Sequence, residues 1–365
     1  MPTPRKAIAL ISGGLDSMLA AKLIQEQGIH VEGLNFYTGF CVEGHTHALR
    51  NKDKAKPKRN NALWVAEQLG IPLHIIDVVE EYKNVVLNPR FGYGATLNPC
   101  LDCKVFMVKK AKEWLQEHQF DFIITGEVIG QRPKSQSKKY LPVVSCHSGA
   151  DDLLLRPLCA QKLAPTLPER MGWVNREKLF DISGRSRKTQ IALAHQFQLN
   201  DFAQPAGGCC FLTNEAYSNK LLDMWQSRSK KHYELDDIML LKVGRHLRPQ
   251  PHFKLIIGRE AGENRYLESY KHQYISLKPL SHQGPFTLID GSPNPQDKAF
   301  IAQVVGRFCD CEANQPLSLE WREPDGHTSS IESYPFTPDE VPKKWYVEQK
   351  KSDHFSLELK VLEKS

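Results

Sequence analysis

The sequence predicts an α/β protein, a doubly wound parallel sheet followed by a second, smaller α+β domain. Three features carry this reading. Short apolar runs alternate with stretches of helical periodicity, a Gly-Gly turn joins the first run to the first helix, and past about Asp236 the texture changes to short runs broken by Pro, Gly, Asn and basic residues.

The elements follow in order. Lys6 to Ile11 reads as a strand and Met18 to Gln27 as a helix, with Leu19, Leu23 and Ile24 on one face. His30 to Phe36 and Pro72 to Val79 read as strands flanking a helix over Asn60 to Leu69. A helix over Val105 to His118 precedes the apolar run DFIIT, Asp121 to Thr125, and further helices are expected over Ser186 to Gln198 and Glu215 to Ser227. In the last third, IMLLKV and FKLIIG read as strands and Asp297 to Phe308 as a helix. A chain of 365 residues has room for two cores, since domains hold roughly 100 to 200 residues each. The boundary is expected near Tyr233, giving domains 1–232 and 233–365.

With 41% apolar and 25% charged residues, the composition is that of a soluble globular protein rather than of a disordered or membrane chain. The opening segment MPTPRKAIALISGGLDS has too short an apolar run for a signal peptide, and no stretch nears the ~20 apolar residues a bilayer crossing needs. A soluble, cytoplasmic protein with no membrane partner is expected. Nine cysteines, an odd number, then point to metal, cluster or catalytic roles rather than a disulfide framework. The net charge of +6 permits an anionic partner without requiring one.

Ser12-Gly13-Gly14-Leu15-Asp16-Ser17 lies between the first strand and the first helix. Glycines there let the backbone approach an oxyanion, and the helix end supplies free N–H groups and positive potential. Ser12 and Ser17 add hydroxyls. Asp16 beside a phosphate requires a divalent cation between them, which predicts Mg²⁺. SGGLDS matches the SGGxDS signature of the PP-loop (N-type) ATP pyrophosphatases, and the resemblance implies an adenine nucleotide alpha hydrolase-like sheet that binds ATP at the carboxyl ends of its strands. It implies cleavage of ATP to AMP and pyrophosphate to activate a carbonyl oxygen or carboxylate. No Walker-type lysine is present to suggest γ-phosphate transfer.

NPCLDC places Cys100 and Cys103 at a helix start, where a positive end should lower thiol pKa, and PAGGCC places Cys209 and Cys210 in a flexible turn. Three cysteines could meet. They could hold a [4Fe-4S] cluster with one open iron for sulfide, or work as persulfide carrier and resolving thiol. The order of SGGLDS, NPCLDCK, GEVIGQRP, LLRPL, SGRSRK and PAGGCCFLTN resembles the 4-thiouridine-synthetase-like tRNA sulfurtransferases over about residues 5 to 230. That resemblance implies Ser12, Gly13, Gly14, Asp16 and Ser17 at ATP, and Cys100, Cys103 and Cys209 at the sulfur site. Cys209 is preferred to Cys210 because it directly follows Gly207-Gly208. The THUMP region that precedes the ATP domain of the housekeeping 4-thiouridine synthetase has no counterpart here, which leaves the modified nucleoside open.

LLKVGRHLRPQPHFKLIIGREAGEN resembles the small RNA-binding domain of NFACT proteins. Read by residue, Lys242, Arg245, His246, Arg248, Lys254 and Arg259 form a basic strip interleaved with Phe253, suited to RNA phosphates. Gly126 ends a strand on the ligand edge of the sheet and belongs with the nucleotide-binding residues, and Arg132 follows as a phosphate contact among Gln131, Lys134, Lys138 and Lys139. Arg185, Arg187 and Lys188 oppose a helix dipole, for which anion binding would compensate. His45 and His47 fit no zinc spacing and read as surface residues.

The expected function is ATP-dependent tRNA uridine thiolation, with tRNA and sulfide or a sulfur-donor protein as partners. One rival is a PP-loop ligase or amidotransferase acting on a small metabolite, indifferent to the cysteines; another is a non-catalytic RNA-binding scaffold.

Overall fold

The structure, a computed structural model, describes residues 4–42, 60–132, 135–199, 201–202 and 209–349. His45, His47, Lys134 and the Pro205–Gly208 turn lie outside the described residues. The chain divides into two compact units, one carrying the described residues up to Cys209 and the other those from Cys210 onward.

The first unit is built on five parallel strands, β1 (Lys6–Leu10), β2 (His30–Tyr37), β3 (Leu73–Asp77), β4 (Phe122–Ile124) and β5 (Leu154–Leu155), in the order β3-β2-β1-β4-β5. Chain order reverses between β1 and β4, and ligands of such sheets bind in the crevice beyond the strand ends at that point. Helices α1 (Leu15–Gln25), α2 (Asn61–Leu69), α3 (Val79–Leu87), α4 (Cys100–Glu117), α5 (Tyr140–Ser148) and α6 (Lys188–Gln196) accompany the strands. Ala7 and Ala9 of β1 are buried with Met18, Leu19, Leu23 and Ile24 of α1, which is what near-continuous apolar strands in a covered parallel sheet require.

Of these helices, α3 and α5 have no counterpart in the sequence reading. The run before α3 continues from strand into helix without a glycine, and Asp77 Oδ1 accepts from Val79 N at 2.9 Å to start it. In α5 the third residue is Pro142, which a first turn tolerates because the N–H it removes has no helical partner. α4 starts at Cys100, five residues before the periodicity suggests.

The second unit opens with α7 (Glu215–Ser227) and α8 (Leu235–Leu240), then six strands: β6 (Arg245–Gln250), β7 (Phe253–Ile257), β8 (Ile275–Pro279), β9 (Thr287–Gly291), β10 (Leu317–Arg322) and β11 (Thr328–Ser333). They form an antiparallel sheet in the order β11-β10-β8-β9-β7-β6. The helices α9 (Ala261–Glu268) and α10 (Asp297–Gly306) complete it. Phe253, Leu255 and Ile257 meet Ile301, Val304 and Val305 of α10, while Ile256 packs with Leu240, Leu267 and Leu288 in a separate cluster. The IMLL run is therefore helix, not strand. A four-residue apolar run has no periodicity to separate the two, and a capping box of Glu234 with Asp237 starts the helix instead.

α7 is tied to this sheet by charge, so the second unit begins earlier than the composition change at Tyr233. Asp223, 3% exposed, accepts from Arg248 Nε at 2.7 Å and Nη2 at 2.8 Å. Lys254, 1% exposed, stands 3.9 Å from the same carboxylate and 3.1 Å from Asp290. Removing Asp223 would leave Arg248 without a carboxylate and Lys254 with Asp290 alone, a loss usually worth about 3 kcal/mol. Asp223→Ala is expected to lower the stability of this unit by about that amount in urea unfolding; an unchanged midpoint would show that the pairs do not support the fold.

Candidate active site

The loop after β1 and the loop after β4 meet at the reversal of strand order. Gly13 takes φ +78° and lies against α2, where a Cβ would sit 2.7 Å from that of Asn61. Gly14 then caps α1 in extended conformation with no side chain bonding to the helix end, so the first N–H groups of α1 remain for an anion. Ser17 Oγ donates to Gly14 O at 2.8 Å and accepts from Ser12 N at 3.3 Å, closing the loop on itself. Gly126 is the contact from the other side: a Cβ there would lie 2.4 Å from the Asp16 carbonyl carbon and 2.5 Å from Ser17 N. Ser12, Gly13, Gly14, Asp16, Ser17 and Gly126 are thus brought together.

Asp16 is the charged centre of this cradle. Gln131 Nε2 donates to its Oδ2 at 2.7 Å, and Arg187 Nη2 lies 3.9 Å from the same oxygen. Burial pushes the carboxyl up, against the pull of Gln131, Arg187 and Arg132. Oδ1 is buried with no hydrogen-bond partner, a vacant acceptor of the kind a divalent cation takes, so the residues fit magnesium.

The loop after β4 is anchored by a buried pair. Arg156 of LLRPL donates from Nε to Glu127 Oε2 at 2.9 Å and from Nη2 to Leu141 O at 3.2 Å, and Thr125 Oγ1 donates to the same carboxylate. Burial would raise the Glu127 carboxyl, but Arg156 and Lys104 carry it below its ordinary value. Gly184 N donates to Ile129 O at 2.7 Å, which brings SGRSRK alongside and so places Arg187 at Asp16. Sequence reasoning missed Glu127 and Arg156 as a pair because nothing links residues 29 apart until the sheet forms.

The cysteine pair sits at the amino end of α4. α4 leads back into β4, so this end lies at the carboxyl edge of the sheet, the same edge as the phosphate loop. Asn98 Nδ2 donates to Cys100 Sγ at 2.9 Å, and Asp102 holds the preceding turn by accepting from Arg90 N at 2.8 Å and Phe91 N at 3.1 Å. The expected lowering of thiol pKa is not what the structure gives. Burial pushes Cys103 up to about 12 and Cys100 up in the same direction. Cys209 is exposed and close enough to raise both, whereas Cys210 acts on Tyr217. Cys100, Cys103 and Cys209 therefore share one neighbourhood, and Arg132 and Lys104 reach Cys100 with opposing positive charge. Among the described residues no three His, Cys, Asp or Glu side chains form a group that could hold a metal ion. As they stand, the three thiols do not fit an iron–sulfur cluster.

The basic strip of the second unit is not one surface. His246 is fully buried, Lys254 nearly so, and Arg248 is spent on Asp223 and Pro251 O. His246 pairs with Ile256, two residues from Lys254 on β7, so the two share one buried face and Arg245 lies on the other, which the charge run conceals. Lys242 and Arg245 are half-buried, over the Phe211 and Phe308 rings, and Arg259 is more exposed. Arg132, Lys138 and Lys139 are exposed in the first unit. No helix among the described residues is long and apolar enough to cross a membrane.

Comparison with known proteins adds the following. Residues 5–150 match the tRNA methyl transferase HUP domain and residues 244–346 the NFACT protein RNA binding domain. The chain is 32% identical over 315 residues to the tRNA-specific 2-thiouridylase MnmA of Petrotoga mobilis, covering 84% of this chain and 80% of that protein. It is 31% identical to the protein of the same name from Mesoplasma florum, over 45% of this chain and 46% of that one. A solved 4-thiouridine synthetase in complex with RNA and bound ATP superposes with a TM-score of 0.32 at 19% identity, over 53% and 52% of the two chains.

Two substitutions separate support of the loop from contact with its ligand. Gly126→Ala is expected to cost about 2 kcal/mol of stability and most ATP binding, since backbone must move. At Gly14 a Cβ meets only Ser12 Oγ, at 3.6 Å, so Gly14→Ala should melt as the parent does yet bind ATP less well by calorimetry. Equal behaviour of the two variants would contradict this arrangement.

Proposed function

The chain belongs to the family of tRNA-specific 2-thiouridylases, and from that premise we propose that it uses ATP to activate a uracil carbonyl oxygen of a tRNA and replaces that oxygen with sulfur. The observation that carries the reading is the phosphate loop and three cysteines meeting at one edge of one sheet. The small-metabolite ligase would leave that convergence without a purpose.

In the first step the uracil oxygen attacks the α-phosphorus of ATP. The bond to the bridging oxygen breaks, pyrophosphate leaves with the electron pair, and the ring N–H gives up its proton. The N–H groups at the start of α1, with Ser12, Gly13, Gly14 and Ser17, receive phosphate oxygens, and Gly126 holds the loop in shape. Asp16 would hold Mg²⁺, which supplies positive charge to the phosphates.

The second step runs through thiols. Cys209, exposed, suits the carrier of a persulfide delivered by a sulfur-donor protein. Its terminal sulfur attacks the adenylated carbon and AMP departs. Cys103 or Cys100 then attacks the inner sulfur, forming a protein disulfide and freeing the thiolated base; an external dithiol reduces the disulfide for the next turn. The same three cysteines could take an open [4Fe-4S] cluster only if the chain around Cys209 closed on the pair. Lys242 and Arg245 in the second unit, and Arg132 in the first, are the cations we assign to RNA phosphates, with Arg248 holding β6 in place.

The test is thiolation of unmodified bulk tRNA with ATP, Mg²⁺ and a persulfide donor, followed by nucleoside mass spectrometry. The parent should form a thiouridine, the 2-thio isomer being the family's product. Cys100→Ala, Cys103→Ala and Cys209→Ala should each lose at least about 100-fold in rate while binding ATP as before, the scale expected for loss of a nucleophile. Full activity in all three would sink the cysteine site, and AMP formation without RNA or thiolation would favour the metabolite ligase.

A further inference from the structure

The surroundings of Asp16 contain more unsatisfied polarity than a resting carboxylate accounts for. Asp16 Oδ1, Gln131 Oε1, Arg187 Nε and both amide atoms of Gln190 are buried without a hydrogen-bond partner. Gln190 is fully buried and its amide faces the Asp16 carboxylate. Buried polar atoms are nearly always paired, so five orphans around one side chain mark a cradle shaped for something polar.

Their chemistry says what. The orphans include acceptors, Asp16 Oδ1 and Gln131 Oε1, and donors, Arg187 Nε and the Gln190 amide nitrogen. A polyphosphate with its divalent cation satisfies both kinds at once, the cation meeting the acceptors and the phosphate oxygens the donors. α6 adds its own first-turn N–H groups. Arg187 at the start of that helix is unfavourably placed against the dipole, and the conflict is resolved when guanidinium and helix end face the same anion.

We propose that Arg187 and Gln190, on the amino end of α6, hold the β- and γ-phosphates of ATP and so bind the departing pyrophosphate, with Arg187 exchanging Asp16 for phosphate when the cation takes its place at the carboxylate. The RNA oxygen must reach the α-phosphorus from outside. The fully buried side of the loop, where Gln190 lies, therefore falls to the phosphates that RNA never meets. Arg187 is in this sense a counter-ion on loan: it neutralises Asp16 until substrate arrives.

This rests on the ATP-cleaving reading above, but its test needs neither tRNA nor sulfur. Binding of inorganic pyrophosphate, ATP and AMP is measured by calorimetry in Mg²⁺ for the parent, Arg187→Ala, Arg187→Lys and Gln190→Ala. Arg187→Ala is expected to weaken pyrophosphate and ATP about tenfold or more, as for a lost charge-assisted bond, with AMP within about twofold. Arg187→Lys should recover part of the loss, and Gln190→Ala should show a smaller loss with the same preference for pyrophosphate over AMP. Unchanged pyrophosphate affinity in Arg187→Ala would overturn the proposal. So would equal loss of AMP and pyrophosphate, which is what a merely structural role gives. Should thiolation fail while this pattern holds, the proposed function falls and the phosphate site stands.

Discussion

Everything in the first unit depends on the distance between two loops at the reversal of strand order. Gly126 lies so near the Asp16 and Ser17 backbone that no side chain fits between them. That contact fixes the open amino end of α1 against the end of β4, and it is maintained from behind by Glu127 and Arg156. Burying such a pair costs desolvation, which the several hydrogen bonds of Arg156 and the second donor to Glu127 offset. Asp16, with Gln131 and Arg187 at its carboxylate, is thus held on a rim anchored by Glu127 and Arg156.

How much of this was legible in the sequence follows from which information is local. SGGLDS declares its strand, turn and helix because each residue serves a local need, and the apolar strands β1, β2 and β4 are legible for the same reason. The helix α8 was hidden because Leu235 to Leu240 is too short to show a period, and α5 because Pro142 argues against a helix everywhere but in its first turn. Arg248 and Lys254 read as free cations, since the Asp223 that neutralises them lies in a helix outside the strip. Charge in a sequence has sign but no partner until the fold supplies one.

The cysteines show the same limit from the chemical side. Spacing placed Cys100 and Cys103 at a helix start, and the structure keeps them there, but a helix end acts on a thiol only through what burial leaves of its field. Burial pushes Cys103 up to about 12 and raises Cys100 as well, so both favour the protonated thiol at neutral pH. Cys209 is exposed and Cys100 and Cys103 are half-buried, an ordering that agrees with the proposed entry of sulfur at Cys209.

That division of labour gives Arg132 its significance. It is the charge that reaches both Asp16 and Cys100, and it favours the ionised form of each. In the proposed reaction, adenylation and sulfur attack fall on neighbouring atoms of one base, which agrees with one cation facing both sites. A single loop after β4 thus supplies Gly126 to shape the phosphate loop, Gln131 to hold Asp16 and Arg132 to face Cys100.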